Sequence, residues 1–345
     1  MKVKALIYFA IITVALSCGS NSSNDAQVVS DQDTTAVVDS LAFYEKKLNA
    51  DPDSPVIMYE RAKYYVRHGD VEMAMADLEK VLAKDSSHMG AQKLYADINL
   101  AMLDLEKSKY HYEYILARDS TNSEALLGMA KIYAALSNFG KADYYISSSL
   151  RNNPYSPEPY FTRGLIYRTD YYQTGRESSW DIAKSSFQTA IEQDPDFYEA
   201  FIELGVMHAE KGDSIALEYY NSAIDIYPES IEAWYNKGYY YQSRGEVDNA
   251  LNCYYTLKSI DSTWYSSYYN IGYIHLIMTE ELDSAIYYFE KCTYWDPGNY
   301  AAFNNLGLAW EKKGDLNNAR KYYHKAVEIN PDFQLAKDNL NELDK

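Results

Sequence analysis

Cysteine is nearly missing from this chain: three residues in 345, at Cys18, Cys253 and Cys292. A small disulfide-stapled fold is thereby excluded, and stability must come from packing. Positive charge is also scarce, with 32 Lys and Arg against 50 Asp and Glu and a formal charge of −18. No dense basic cluster appears, so the electrostatic footprint of a nucleic-acid binder is lacking. Long apolar runs are lacking too. The one apolar stretch, Ala5 to Leu16, falls short of the roughly 20 residues that cross a bilayer as a helix, and mean hydropathy is −0.45. A multi-span membrane protein is excluded. Tyrosine is what the chain has in excess, 37 residues within a hydrophobic content of 47%, which suffices for a sizeable core.

The chemistry of an enzyme is equally hard to find. The six histidines are scattered singly, and no His, Cys and carboxylate cluster has metal-ligand spacing. Asp51-Pro52-Asp53-Ser54 lacks the further acidic ligands and final Glu of a calcium loop. No Gly-rich phosphate loop or nucleophile elbow occurs. Neither catalysis, a cofactor nor a metal is expected.

The chain begins with Lys2 and Lys4, then the apolar run, then Ala15-Leu16-Ser17-Cys18-Gly19. A short basic segment, a brief apolar core and small residues before a cleavage point make a secretion signal. The last five residues resemble the lipobox of bacterial lipoproteins. That resemblance implies that residues 1–17 are a signal peptide and that Cys18 becomes a lipidated N-terminus. Gly19 rather than Asp after the cysteine implies, by the same resemblance, sorting to an outer membrane. The alternative is an ordinary cleaved signal with an incidental cysteine. Residues 18–38 are polar and aperiodic, as in a flexible tether. The membrane is then reached only through the lipid.

The remainder is organised by a period. Between Tyr300 and Pro331 lie Phe303, Leu306, Gly307 and Trp310, then Gly314, then Ala319 and Tyr323. Spacings of three and four put the large residues on one helix face. Gly307 on that face lets a second helix approach closely, Gly314 permits the left-handed turn, and Pro331 ends the second helix. The same pattern recurs upstream. Trp234, Gly238, Tyr241, Gly245, Ala250 and Tyr254 fill it in 231–264. Phe201, Leu204, Gly205, His208, Gly212 and Ala216 fill it in 198–230. Segments 265–299, 123–156, 89–122 and 55–88 follow, the two earliest being more degenerate: in 89–122 Leu103 stands at the turn and Ser108 replaces the small Ala. In 157–197 the second half arrives seven residues late, within Thr169 to Asp181. Longer helices would absorb about two extra turns without changing the buried faces; the other reading is a Tyr/Trp-bearing lip for a partner.

Eight such units resemble the tetratricopeptide repeat, a helix–turn–helix of about 34 residues. The resemblance implies an all-α, right-handed superhelical solenoid in which first helices line a concave groove. Residues 39–54 are expected to form a capping half-repeat. Residues 334–345, with Ala336, Leu340 and Leu343 as a narrow stripe, are expected to be a polar capping helix. His208 and His275 fall at a buried aromatic position and are expected to pack. Cys253 and Cys292 are expected to be buried thiols, or an inter-repeat disulfide if their Cα atoms lie within about 7 Å.

Asn236, Asn270 and Asn305 occupy the sixth place of the last three repeats. Tyr235, Tyr269 and Asn304 precede them, and Tyr239, Tyr273 and Leu308 follow one turn later. Stacked repeats would align the amides as a ladder able to pair with a peptide backbone, beside broad tyrosine faces. The competing reading is ordinary repeat consensus. These residues make repeats six to eight the candidate site of a lipid-anchored envelope scaffold for proteins or peptides, with glycan binding by the Tyr-rich groove as the alternative. Converting Cys18 to Ala should move the protein from the membrane pellet to the soluble fraction; retention in the pellet would contradict the anchor.

Overall fold

The computed structural model describes residues 40–343, in 18 helices and no strand among those residues. Cys18, the signal segment 1–17 and the tether 18–38 lie outside the described residues. The chain divides into two compact units, one ending at Pro195 and one beginning at Asp196.

The first unit opens with α1 (Leu41–Ala50), capped by Ser40, whose Oγ accepts from the Phe43 amide at 3.4 Å. Four antiparallel hairpins follow: α2 (Pro55–Arg67) with α3 (Val71–Lys84), α4 (Met89–Ala101) with α5 (Leu105–Leu116), α6 (Ser123–Ala135) with α7 (Phe139–Asn152), and α8 (Pro157–Thr174) with α9 (Glu177–Gln193). Each hairpin buries an apolar stripe that one helix pair cannot cover alone. Leu48 of α1 joins Met58, Ala62, Leu78, Val81 and Tyr95 in one cluster spanning α1 to α4. Within the first hairpin Arg61 grips Asp77 with Nε at 2.7 Å and Nη2 at 2.8 Å. Asp77 is 2% exposed, so the paired guanidinium offsets the cost of burying its charge.

The late-arriving material of 157–197 is helix. α8 has 18 residues and α9 has 17, against 13 in α2 and 14 in α3. Asp170, 1% exposed, accepts from Arg176 and Ser179 across the turn. Trp180 is buried and meets Tyr171 edge-on at 4.8 Å. The tryptophan therefore fastens the lengthened hairpin from within.

The second unit repeats the scheme with α10 (Tyr198–Glu210) and α11 (Ala216–Ile226), α12 (Ile231–Ser243) and α13 (Val247–Ile260), α14 (Tyr265–Ile277) and α15 (Leu282–Trp295), and α16 (Tyr300–Lys312) and α17 (Leu316–Ile329). Helix α18 (Gln334–Leu343) closes it, burying Ala336 and leaving Leu340 and Leu343 half-covered. A Cβ on Gly307 would sit 2.6 Å from the Tyr323 ring, so that ring lies directly on the helix backbone. The Tyr323 hydroxyl then reaches Glu311 at 2.5 Å. The hairpin two repeats earlier does likewise, Tyr254 donating to Gln242 at 2.8 Å beside Gly238.

The turns depart from the glycine pattern at three places. Gly69, Gly212, Gly245 and Gly314 have positive φ, but so do Leu103, Ser137 and Glu280 at the corresponding turns. An L side chain in the left-handed region costs about 1 kcal/mol. Leu103, at φ 61° and 49% exposed, packs too little to offset it. Leu103→Gly should therefore stabilise the chain by about 1 kcal/mol, read as a higher urea midpoint with unchanged slope; a lower midpoint would contradict the strain.

A tyrosine-lined groove in the second unit

On α12, Tyr235, Tyr239 and Gln242 are spaced four and three apart and share one face. Trp234, Gly238 and Tyr241 point the other way, towards α13. On α14 the equivalent outward face carries Tyr265, Ser266, Tyr269, Asn270 and Tyr273. These two faces, closed at one side by Asn299 and Ala301, enclose a groove of about 500 Å³. Helices α10 and α12 pack on each other, as do α14 and α16, whereas α12 and α14 approach less closely. A second hollow of about 290 Å³ shares Tyr239, Gln242 and Tyr273 with the first and continues it to Ser243, Ile277 and Met278. No charged side chain lines either hollow.

Five of the expected residues border the groove: Tyr235, Tyr239, Tyr269, Asn270 and Tyr273. Tyr239 is 58% exposed. Asn270 is 7% exposed, and its Nδ2 has no hydrogen-bond partner. The three asparagines of the sixth place do not form one row of groove-facing amides. Asn236 is half-buried on α12 and outside the lining. Asn305 donates from Nδ2 to the Tyr269 hydroxyl at 3.1 Å. Asn304 is 2% exposed, donates to Asn305 Oδ1 at 3.4 Å, and accepts at Oδ1 from Asn339 of α18 at 2.9 Å. Leu308 packs on the apolar cluster of α14 to α16. The lining also includes Gln242, Tyr265 and Ser266, which the spacing had not singled out. Gln242 stands seven residues after Tyr235 and Tyr265 four before Tyr269, so helical periodicity alone would have reached both.

Burial raises the pKa of Tyr269, opposed by the amide of Asn305. His275 is buried, stacks on Tyr288 at 5.7 Å, and places Nδ1 3.2 Å from both Thr279 and Glu281. Burial lowers its pKa, against the pull of Glu281. His208 lies 2.8 Å from Asp213. Lys237 contacts Asn221 at 2.7 Å and covers the Trp234 ring. Among the described residues no three His, Cys, Asp or Glu gather to hold a metal, and no helix is long and apolar enough to cross a membrane.

Four family models of the tetratricopeptide repeat match, at residues 175–230, 219–252, 265–299 and 300–333. Tetratricopeptide repeats are thus present over 175–252 and 265–333, and the described residues have the all-α fold of such repeats. The chain's sequence is 23% identical over 290 residues to the protein CTR9 homolog of Arabidopsis thaliana, covering 71% of this chain and 26% of that one. It is 24% identical over 215 residues to the BBSome complex member BBS4 of Bos taurus, covering 62% and 39%. The chain therefore spans well under half the length of either relative. Among solved structures, PilW, a type IV pilus biogenesis factor, superposes with a TM-score of 0.51 at 18% identity, covering 63% of this chain and 98% of that one. Tetratricopeptide proteins in general act as protein-interaction scaffolds.

Cys253 and Cys292 are both free and buried. Burial pushes their thiols up to about 11 and about 12. Since the thiolate is the reactive form, neither should be labelled by a disulfide reagent at about pH 8 in the native chain. Both should react once urea unfolds it, and mass spectrometry of the labelled peptides checks the difference.

Proposed function

We propose that this chain is a lipid-anchored scaffold of the cell envelope that holds a protein or peptide segment in the groove between α12 and α14. The lining carries the reading: a wall of tyrosines and uncharged amides, with Tyr239 left 58% exposed. Tyrosine offers wide, rigid contact area at low entropic cost and is over-represented among residues that dominate binding energy. The adjoining end at Ile277 and Met278 suits an apolar side chain, which favours peptide over glycan. Asn270 bounds the groove, and Asn305 and Asn304 act behind it through Tyr269. Asn236 and Leu308 flank the same site. The anchor at Cys18 and the outer-membrane location rest on the leader sequence Lys2 to Gly19. Such a tether would keep the repeats beside the membrane while leaving the groove open to envelope proteins.

The experiment is crosslinking in intact cells followed by mass spectrometry of partners. Tyr239→Ala combined with Tyr265→Ala should lower partner recovery about tenfold or more, with helicity by circular dichroism unchanged. Equal recovery would remove the groove from the binding surface. Retention of the purified protein on isolated sacculi, lost in the same variant, would assign the groove to glycan instead.

A further inference from the structure

Three side chains bring donors to the groove, beside the Tyr235, Tyr239, Tyr265, Tyr273 and Ser266 hydroxyls, which can each give or take a proton. The Gln242 amide uses Oε1 to accept from Tyr254 at 2.8 Å, so Nε2 is the end it can offer. The Tyr269 oxygen accepts from Asn305, so its own proton is what remains to be given. Asn270 keeps an enclosed Nδ2 without a partner at the groove wall. Three donors therefore border a space with aromatic walls, no charge, and an apolar end at Ile277 and Met278.

Those three donors suit a segment rich in carbonyls. An ordinary extended peptide brings as many N–H groups as carbonyls, and a sugar brings hydroxyl protons. Proline alone among backbone units offers a carbonyl with no N–H. Its extended left-handed helix leaves those carbonyls unbonded, and its apolar pyrrolidine ring packs on aromatic walls. We propose that the groove of the second unit takes an uncharged, proline-rich segment, with one non-proline apolar side chain seated at Ile277 and Met278. This rests on the peptide reading above and specifies its partner class.

The test uses the full chain and a capped, fluorescently labelled oligoproline carrying one leucine, followed by anisotropy. Saturable binding is expected. It should change less than about twofold between about 0.05 and about 0.5 M salt, because no exposed charge pair is formed. Tyr239→Ala, at an exposed position, should weaken it about tenfold or more. Gln242→Glu keeps an oxygen for Tyr254 but removes the donor, and should weaken it comparably. Tyr294→Ala, 71% exposed and outside the groove, should leave it unchanged. If a glycine–serine peptide with the same leucine binds as tightly, the peptide reading survives and the proline preference is overturned. If neither peptide binds while a soluble N-acetylglucosamine oligomer does, both are overturned.

Discussion

The ring of Tyr323 lying on Gly307 is the contact on which the last hairpin depends. Burying such a side chain is worth roughly 1.5–3 kcal/mol, but only if its hydroxyl is not stranded, since an unmet buried donor costs about 1–3 kcal/mol. Glu311, one turn beyond the glycine, accepts that hydroxyl at 2.5 Å. Tyr254, Gly238 and Gln242 solve the problem in the same way two repeats earlier. The glycine sets how closely the two helices lie, and the acceptor sets how the ring is turned. Because Gln242 also borders the groove, the contact that closes the hairpin shapes the surface on its far side.

That double use explains what periodicity could and could not reveal. The spacing of Phe303, Leu306, Gly307 and Trp310 found every hairpin, because a core position admits few residue types. Turns were less transparent. Leu103, Ser137 and Glu280 take the left-handed conformation without glycine, so the hairpin's helices impose a turn that local preference opposes. The seven late residues of 157–197 were equally compatible with helix and with loop from composition alone. The buried Asp170, held by Arg176 and Ser179, is a pairing across the turn that no spacing rule supplies.

The site was visible in part for a related reason. Tyrosines four apart on α12 and α14 had to share a face, and they do line one groove. Asparagine is different, because an amide can serve the interior or a ligand equally well. Asn304 chose Asn339, 35 residues away, and Asn305 chose Tyr269, 36 residues away. Such partners are decided by the stacking of repeats and not by the local pattern.

Those asparagines have one more consequence. Asn339 gives to Asn304, Asn304 to Asn305, and Asn305 to Tyr269. An amide has a nitrogen end and an oxygen end, so a series of them has a direction, and reversing one link means reversing every link. The row therefore has two settings, and the helix that closes the array stands at its head. A terminal helix in a repeat protein is ordinarily a cover that keeps the last apolar face from water. Here α18 also stands three links from the Tyr269 hydroxyl at the groove wall, and sets which way that row of amides runs.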